Sequence, residues 1–249
     1  MADVVTRFGS PHRHFRRTDS TNVRARDLAE AGAPGGMVVT ADEQDAGRGR
    51  QGRTWFARPG SALLYSAVLR PLGDRPLLPL AVPLAVCEAA ESLAPVECAV
   101  KWPNDVWVGT RKLAGVLIES RFERGGGGWA VIGVGLNLSL DRDELPEELR
   151  KTATSLAIEA GGEASESALG PDAAKDALDA ALGRWSDVEA GAILEGFCAR
   201  DALAGRRISW DGEAGTAAGI DDSGHLLVDT DGGERRALGA GEVHLSVER

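Results

Sequence analysis

Residues 47–55 concentrate the side chains and the backbone freedom that could bind an anion. This segment, GRGRQGRTW, contains three arginines and three glycines in nine residues. The planar guanidinium of arginine offers N–H donors that match carboxylate and phosphate oxygens. Glycine lets the backbone approach a ligand closely and adopt positive φ. The composition predicts a flexible cationic loop that wraps an anionic small molecule, and a solvated basic turn is the alternative.

Residues 101–105, KWPND, place a cation, an aromatic ring, an amide and a carboxylate next to one another. Pro103 fixes its own φ and disfavours a helical conformation at Trp102. Asn104 and Asp105 are then expected at a strand or turn edge, where they could meet a ribose, a phosphate or a metal-bound phosphate. The alternative is a plain Pro-Asn-Asp turn with Trp102 in the core.

Lys112 opens an otherwise apolar strand, KLAGVLIE. Strict alternation would place it on one face with Ala114, Val116 and Ile118, and a buried lysine there would need an anionic partner. A carboxylate or an α-phosphate would serve; a strand-end lysine that reaches solvent is the alternative. Lysine is scarce, since only four of the 28 lysines and arginines are lysines, and Lys101 and Lys112 are two of these four.

Two further segments carry polar side chains at element boundaries. Ser20, Thr21 and Asn22 precede a predicted helix and exceed what one N-cap needs, which predicts a ligand role beside capping. The segment GVGLN, from Gly133 to Asn137, lacks the third glycine and the following helix of a dinucleotide-binding loop. Glycines at alternate strand positions would instead let a flat group lie against the backbone, with Asn137 at the end of that platform.

Length and charge limit the class of protein. The chain has 249 residues and 43% hydrophobic content, enough for one large domain or one plus a small domain. Its formal net charge of −10 disfavours nucleic acid as the main partner. The three cysteines lack metal-ligand spacing, and no signal peptide or long apolar run is present. We therefore expect a cytoplasmic protein with no membrane partner.

The order of predicted elements indicates an α+β fold. A helix after Asn22, strands at 37–41 and 62–70, a helix at 77–93 and short-turn strands from 99 to 138 indicate a mixed sheet. Residues 171–202 are predicted to form one further helix. Five short strands after residue 205 indicate a small barrel like those of SH3 domains. We place a domain boundary near residue 203.

Taken together, these segments resemble the biotin–protein ligases. The matching pieces follow the family's order and spacing: residues 20–22, residues 44–55 with the GRGRQGR core, KWPNDV at 101–106, KLAGVLIE at 112–119 and GVGLNL at 133–138. The resemblance implies a mixed-sheet catalytic domain at 1–203 and an SH3-like β-barrel at 204–249. It also implies a two-step reaction. Biotin and MgATP give biotinyl-5′-AMP and pyrophosphate, and the adenylate then acylates a lysine of a biotin carboxyl carrier domain of acyl-CoA carboxylases.

The same resemblance implies roles for individual residues. The biotin site would comprise Ser20, Thr21, Asn22, Gln44, Arg48, Gly49, Arg50 and Lys112. The ATP site would comprise Arg50, Arg53, Trp55, Asn104, Asp105, Lys112 and Asn137, with Asp105 a candidate to meet Mg²⁺ through the phosphates. Arg50, Lys112 and Lys101 are the expected catalytic residues. A carboxylate that attacks an α-phosphate brings two anions together, so such a site must be cationic.

The resemblance also implies binding partners, and the sequence departs from the family pattern at two positions. The implied partners are biotin, ATP and the carrier domain, and a homodimer is a candidate assembly. Because 19 residues precede Ser20, no DNA-binding domain is expected. Gln51 stands where many relatives have a second basic residue. Ser246 stands where some relatives place an arginine, which weakens the expectation of a nucleotide contact from the small domain.

Two other functions remain open at this point. A lipoate or octanoyl acyl transferase would share the fold, although GRGRQGRTW and KWPND favour biotin. A non-catalytic biotin sensor is the second alternative.

Overall fold

The computed structural model describes residues 7–122, 127–161, 169–240 and 246–247. Its helices are α1 (Thr21–Glu30), α2 (Leu78–Leu93), α3 (Leu156–Ala160), α4 (Pro171–Trp185) and α5 (Ala190–Ala199). The first seven strands are β1 (His12–Thr18), β2 (Val38–Gln44), β3 (Ala62–Leu69), β4 (Cys98–Lys101), β5 (Asp105–Val108), β6 (Arg111–Phe122) and β7 (Gly128–Asn137). The last five are β8 (Arg207–Trp210), β9 (Glu213–Ile220), β10 (Leu226–Thr230), β11 (Arg235–Leu238) and β12 (Ser246–Val247).

The strands form two sheets. The larger has seven strands in the order β1-β2-β3-β7-β6-β5-β4, with β1 parallel to β2 and the other neighbours antiparallel. The smaller, here called the C-terminal sheet, is antiparallel with the order β11-β10-β9-β8-β12. The mixed sheet and the separate C-terminal sheet confirm the predicted α+β class. The boundary at residue 203 stays a prediction.

The two faces of the larger sheet are covered unequally. Strand β3 alternates so that Leu63, Tyr65, Ala67 and Leu69 face a large core shared with α2 and α4, whereas Val68 belongs to a small core under α1. One short helix cannot cover a seven-stranded face, so part of that face is left open beside α1. None of the helices in the described ranges has the length and apolar content that a membrane span requires.

The single helix predicted at 171–202 is wrong. Two helices, α4 and α5, are separated at residues 186–189, although apolar periodicity continues through both. The break has a tertiary cause, because Arg75 donates to the Ser186 carbonyl that a continuing helix would use. Glu189 then starts α5 from an extended backbone with ψ 147°. By contrast, α2 runs without a break through Pro83.

A buried polar contact joins α4 to the larger sheet. The Tyr65 side chain is 1% exposed, and its hydroxyl donates to Oδ1 of Asp179 at 2.6 Å. Lys175 Nζ lies 2.9 Å from the other Asp179 oxygen. Burial raises the pKa of Tyr65 well above its ordinary value, so the hydroxyl remains a donor. Asp179 therefore satisfies a buried hydroxyl and an ammonium at once.

We expect Asp179→Ala to lower the free energy of unfolding by about 3 kcal/mol, because it leaves the buried Tyr65 hydroxyl without its acceptor and removes the more buried of the two carboxylates that Lys175 contacts. Asp176→Ala is the matched control, since Asp176 contacts the same lysine at 3.1 Å but its side chain is 80% exposed. That control should change stability by less than about 0.5 kcal/mol. Urea denaturation followed by circular dichroism measures both. Equal losses in the two variants would contradict a structural role for Asp179.

Candidate functional site

A cavity of about 1060 Å³ opens on the face of the larger sheet beside the start of α1. Strand β7 shows the change of face, because Ile132 and Leu136 lie in the large core while Gly133, Gly135 and Asn137 line the cavity. All site residues predicted from the sequence line this one cavity: Ser20, Thr21, Asn22, Gln44, Arg48, Gly49, Arg50, Arg53, Trp55, Lys101, Asn104, Asp105, Lys112 and Asn137. Segments that are 117 residues apart in the chain therefore meet at one place.

One end of the cavity is a neutral hydrogen-bonding pocket. The Thr21 backbone N–H and hydroxyl both donate to Oε1 of Gln44, at 2.7 and 3.0 Å. Ser66 Oγ lies 2.8 Å from the Thr21 hydroxyl and 2.6 Å from Oδ1 of Asn22. Asn22 in turn donates to Oε2 of Glu119 at 3.0 Å. This network fixes the side chains that follow the N-terminus of α1, where Ser20 occupies the N-cap position without a capping bond of its own.

Ser66 and Glu119 are contributors that the sequence analysis did not identify. Ser66 is fully buried in the middle of apolar β3, and nothing in its neighbours distinguishes it from a packed strand residue. Glu119 stands at the end of the apolar run of β6. It belongs to the segment KLAGVLIE that resembles the family, but the resemblance implied no role for it. No local signal marked either residue, because its role depends on Asn22, which is distant in the chain.

The arginine-rich segment forms a closed hairpin. Its arms are joined from Gly49 N–H to the Arg53 carbonyl at 2.7 Å and from Trp55 N–H to the Gly47 carbonyl at 3.0 Å. At its turn, Gln51 has a φ of 57°, a left-handed conformation that is uncommon for residues other than glycine. The position that departs from the family pattern is thus the residue that turns the loop.

Two arginines of this hairpin reach across the cavity. Arg48 lies 3.3 Å from Oε1 of Glu119 on β6. Arg50 donates to Oδ1 of Asn104 at 3.3 Å and to the carbonyl oxygen of Ala240. Ala240 lies just after the end of β11. Burial lowers the pKa of Arg50 from its ordinary value, with Asp105 opposing the shift. Arg50 therefore connects the loop with both the larger sheet and the C-terminal part of the chain.

Lys112 faces the cavity for a reason that strict alternation missed. The register between β5 and β6 shifts between Val106 and Trp107, so that Val106 pairs with Ala114 but Trp107 pairs with Lys112. The extra residue turns Lys112 to the side of Gly115, while Ala114 and Val116 point into the core. The predicted common face of Lys112 with Ala114 and Val116 is wrong because of this β-bulge. Lys112 Nζ lies 2.6 Å from Oδ1 of Asp105.

The predicted glycine platform exists, and a side chain of this chain lies on it. A Cβ atom on Gly135 would come within 2.7 Å of the Trp55 ring, and one on Gly115 within 3.1 Å. A Cβ atom on Gly133 would come within 2.7 Å of the Asn22 amide. Lys112 Nζ is 5.6 Å from the Trp55 ring centroid, a cation–π distance. The glycines therefore let the indole and an amide approach the sheet backbone.

Unsatisfied polar groups mark the far end of the cavity. Asn137 is 5% exposed and donates to the Thr154 carbonyl at 2.9 Å, but its Oδ1 has no hydrogen-bond partner among the described residues. Trp55 Nε1 is likewise buried without an acceptor in the described part of the chain. Buried groups of this kind normally find partners, so both are candidates to meet a bound ligand. Burial also lowers the pKa of Lys101, with Lys112 and Arg53 nearby.

The cavity is strongly cationic in an acidic protein. In the part of the chain that the structure describes, eight positive side chains line it: Arg48, Arg50, Arg53, Lys101, Lys112, Lys151, Arg206 and Arg207. Asp105 is the one carboxylate among its described lining residues. Such a charge balance favours a ligand, or a pair of ligands, with several negative charges.

Comparisons with known proteins agree with this geometry. Residues 14–137 match the biotin/lipoate A/B protein ligase family, and residues 211–246 match the biotin protein ligase C-terminal domain. The biotin–[acetyl-CoA-carboxylase] ligase of Paracoccus denitrificans is 36% identical over 242 residues, which cover 91% of this chain and 97% of that protein. The bifunctional ligase/repressor BirA of Bacillus spizizenii is 38% identical over 145 residues, or 57% of this chain. The chain matches only 45% of that relative's length.

A solved structure has a similar fold. The biotin protein ligase from Aquifex aeolicus in complex with biotin and ATP superposes with a TM-score of 0.78 at 26% identity, over 96% of this chain and 100% of that chain. The agreement of sequence over nearly the whole Paracoccus relative and of fold over the whole Aquifex chain leads to one conclusion. This chain belongs to the biotin–protein ligase family.

Proposed function

We propose that this chain is an ATP-dependent biotin–protein ligase that forms biotinyl-5′-AMP and transfers biotin to a lysine of a carboxylase carrier domain. The observation that carries the proposal is the convergence of eight cations and one carboxylate in a cavity with a neutral pocket at one end. Biotin has an uncharged ureido ring and a carboxylate tail. ATP adds a triphosphate. The neutral pocket fits the ring, and the cationic part fits the two anions that must react.

The neutral pocket suits a ureido group because it offers both donors and acceptors. Ser20, Thr21, Asn22 and Gln44 supply hydroxyl and amide groups, and Ser66 holds two of them in place. The carboxylate of biotin would then extend toward Lys112. Arg48 and Gly49 would close over biotin from the hairpin side. Because Ser66 is buried, its own role is to position its neighbours.

In the first step, the biotin carboxylate attacks the α-phosphate of ATP and pyrophosphate leaves. Lys112 is at present neutralised by Asp105 at 2.6 Å, and substrate anions would replace that carboxylate as its partner. Arg50, Lys112 and Lys101 would bind the oxygens on which negative charge accumulates. No side-chain nucleophile is needed, because the carboxylate of biotin attacks directly.

At the nucleotide end, the orphaned groups fit an adenosine. Asn137 Oδ1 can accept a hydrogen bond from an exocyclic amino group such as that of adenine. The Trp55 ring offers an aromatic face next to this position, and Arg53 belongs to the same arm of the hairpin. Base–aromatic stacking contributes about 1–3 kcal/mol. Trp55 thus has two expected functions, as a cover of the platform and as a stacking partner.

Asp105, the one carboxylate among the described lining residues, fits a magnesium ion that arrives with the nucleotide. No group of three or more metal-ligating side chains is found in the described ranges. Mg²⁺ commonly keeps waters and binds through one or two carboxylates and substrate phosphates. Asp105, with the Asn104 amide beside it, would hold such an ion. When bound, Mg²⁺ neutralises phosphate charge and assists the departure of pyrophosphate.

In the second step, a lysine of the carrier domain attacks the mixed anhydride. A labile acyl phosphate hydrolyses in water, so a hairpin that lies over the site has a protective function. The contact of Arg50 with Ala240 would hold the hairpin closed. Transfer then requires that the acceptor lysine enter from the open side of the cavity.

Other expectations remain part of the proposal. The formal net charge of −10 disfavours nucleic acid as a partner. A homodimer and a cytoplasmic location stay predictions.

Exchange of radiolabelled pyrophosphate into ATP tests this function, because it occurs only if adenylate formation is reversible on the protein. We expect exchange that requires biotin and is not supported by lipoate. Lys112→Ala should lower the exchange rate about 10²- to 10³-fold, the usual loss when one group that stabilises developing charge is removed. Arg121→Ala, an exposed arginine on the same strand, is the control and should keep wild-type exchange.

Biotin binding without any exchange would leave only a sensor, and exchange with lipoate would indicate the acyl-transferase alternative. Exchange that is unchanged in Lys112→Ala would refute the catalytic assignment of this lysine.

Gly135→Ala should separate the nucleotide end from the biotin end. Its methyl group would overlap the Trp55 ring, so we expect the KM for ATP to rise about tenfold, equivalent to about 1.4 kcal/mol, with little change in the Kd for biotin. Gly191→Ala in α5 is the control, because nothing lies within 4 Å of the added atom. Steady-state exchange kinetics and biotin calorimetry measure the two effects. A larger loss of biotin affinity than of ATP affinity would contradict the assignment of the two ends.

A further inference from the structure

We propose that Glu119 is a positioning residue that couples the neutral pocket to the arginine hairpin and thereby sets how long the adenylate is retained. This inference rests on the proposed function and adds a residue to it. Glu119 lies on β6 but is not among the described residues that line the cavity. Its Oε2 accepts from Asn22 at 3.0 Å, and its Oε1 lies 3.3 Å from Arg48. Glu119 would therefore act through these two neighbours and not by contact with a substrate.

On the pocket side, Glu119 fixes the orientation of the Asn22 amide. Nδ2 of Asn22 donates to Glu119 and also to the Leu117 carbonyl at 3.3 Å. Carboxylate and carbonyl oxygens accept hydrogen bonds but do not donate them, so a flipped amide would place its oxygen against two acceptors. Oδ1 of Asn22 is thus held 2.6 Å from the Ser66 hydroxyl. Because Asn22 is 5% exposed, removal of the carboxylate would leave a buried N–H unpaired.

The Asn22 amide is one end of a continuous chain of hydrogen bonds. Ser66 also lies 2.8 Å from the Thr21 hydroxyl, which donates to Gln44 at 3.0 Å. Gln44 reaches the base of the hairpin, since a Cβ atom on Gly47 would come within 3.1 Å of its Nε2. The side chains proposed to bind the ureido ring therefore share one network with Glu119. A ligand that orders this network also orders the carboxylate at its end.

On the hairpin side, Glu119 anchors the first arm. Arg48 stands on this arm, where it forms a β-bridge with Thr54. The Arg48 side chain is 45% exposed and the Glu119 side chain 25%. The hairpin is thus attached to the larger sheet by Arg48 at Glu119 and by Arg50 at Asn104. A partly exposed ion pair contributes little free energy, so it can favour the closed hairpin and still allow it to open.

The expected effect falls on release of the intermediate. A bound adenylate can leave only after the hairpin that lies over it has moved, and loss of a contact that stabilises the closed hairpin raises the rate of opening. The groups proposed to bind phosphate, such as Lys112 and Arg50, keep their own contacts with the sheet when Glu119 is replaced. Pyrophosphate exchange should therefore change less than the release of biotinyl-5′-AMP.

The test compares Glu119→Gln with Glu30→Gln. Glu30 is the matched control, because it pairs with Arg121 of the same strand at 3.4 Å and neither of the two is among the described lining residues. The measurement is the rate at which bound radiolabelled biotinyl-5′-AMP is replaced by an excess of unlabelled ligand. We expect Glu119→Gln to raise this rate about three- to fivefold, the upper range for loss of a partly exposed ion pair. Glu30→Gln should match wild type.

Two further variants separate the two contacts of the carboxylate. In an Arg48→Met background, Glu119→Gln should cause no further increase in the release rate, because the partner of the carboxylate is already absent. Glutamine keeps an acceptor for Asn22, so the Kd for biotin should change little in Glu119→Gln. Glu119→Ala also removes that acceptor and should raise this Kd about tenfold. The melting temperature of unliganded Glu119→Gln should equal that of wild type, which excludes a general loss of structure.

Three results would overturn the inference. An unchanged release rate in Glu119→Gln would mean that the ion pair does not hold the hairpin over the adenylate. Equal increases in the wild-type and Arg48→Met backgrounds would show that the carboxylate does not act through Arg48. A wild-type Kd for biotin in Glu119→Ala would remove the link to the neutral pocket. Each of these is distinct from failure of the proposed function, which would appear as wild-type protein without biotin-dependent pyrophosphate exchange.

Discussion

The proposed function brings two negatively charged reactants into contact, and the account of the site depends on how their repulsion is overcome. Unit charges 4 Å apart repel by about 4 kcal/mol at an effective dielectric constant of 20. Here, the described residues that line one cavity include eight cations and a single carboxylate, in a chain whose formal net charge is −10. Asp105 pairs with Lys112 at 2.6 Å. This cavity is where the proposed reaction would need positive charge.

The sheet provides the room that the side chains of this cavity need. Glycines at alternate positions of β7 and at Gly115 leave room for Trp55 and Asn22 against the backbone. A β-bulge opposite Trp107 turns Lys112 out of the core and into the cavity. Both devices are local features of the strands, and both lie at the cavity and not in the large core. Such departures from regularity are commonly found at functional sites.

Much of this site could be predicted from the sequence, because its residues come in short segments whose types suit one chemistry. The segments around Arg50, Lys101 and Asn137 predicted cavity-lining residues, and the structure brings them together. The side of the sheet to which Lys112 points could not be predicted, because alternation assumes an unbroken strand register. Ser66 and the Ala240 carbonyl were missed because their contribution depends on distant partners that no local pattern reveals. The break between α4 and α5 was missed for the same reason, because Arg75 ends α4 from outside the helix.

The central claim is that the cations of this cavity converge on the point where carboxylate and α-phosphate join. A crystal structure of the protein with bound biotinyl-5′-AMP tests it most directly. The account predicts that Lys112 Nζ leaves Asp105 and lies within about 3.2 Å of a phosphate or acyl oxygen, with Arg50 on the same group. It also predicts the ureido ring among Thr21, Asn22 and Gln44. A ligand phosphate bound away from Lys112 and Arg50, with the Lys112–Asp105 pair intact, would contradict the account.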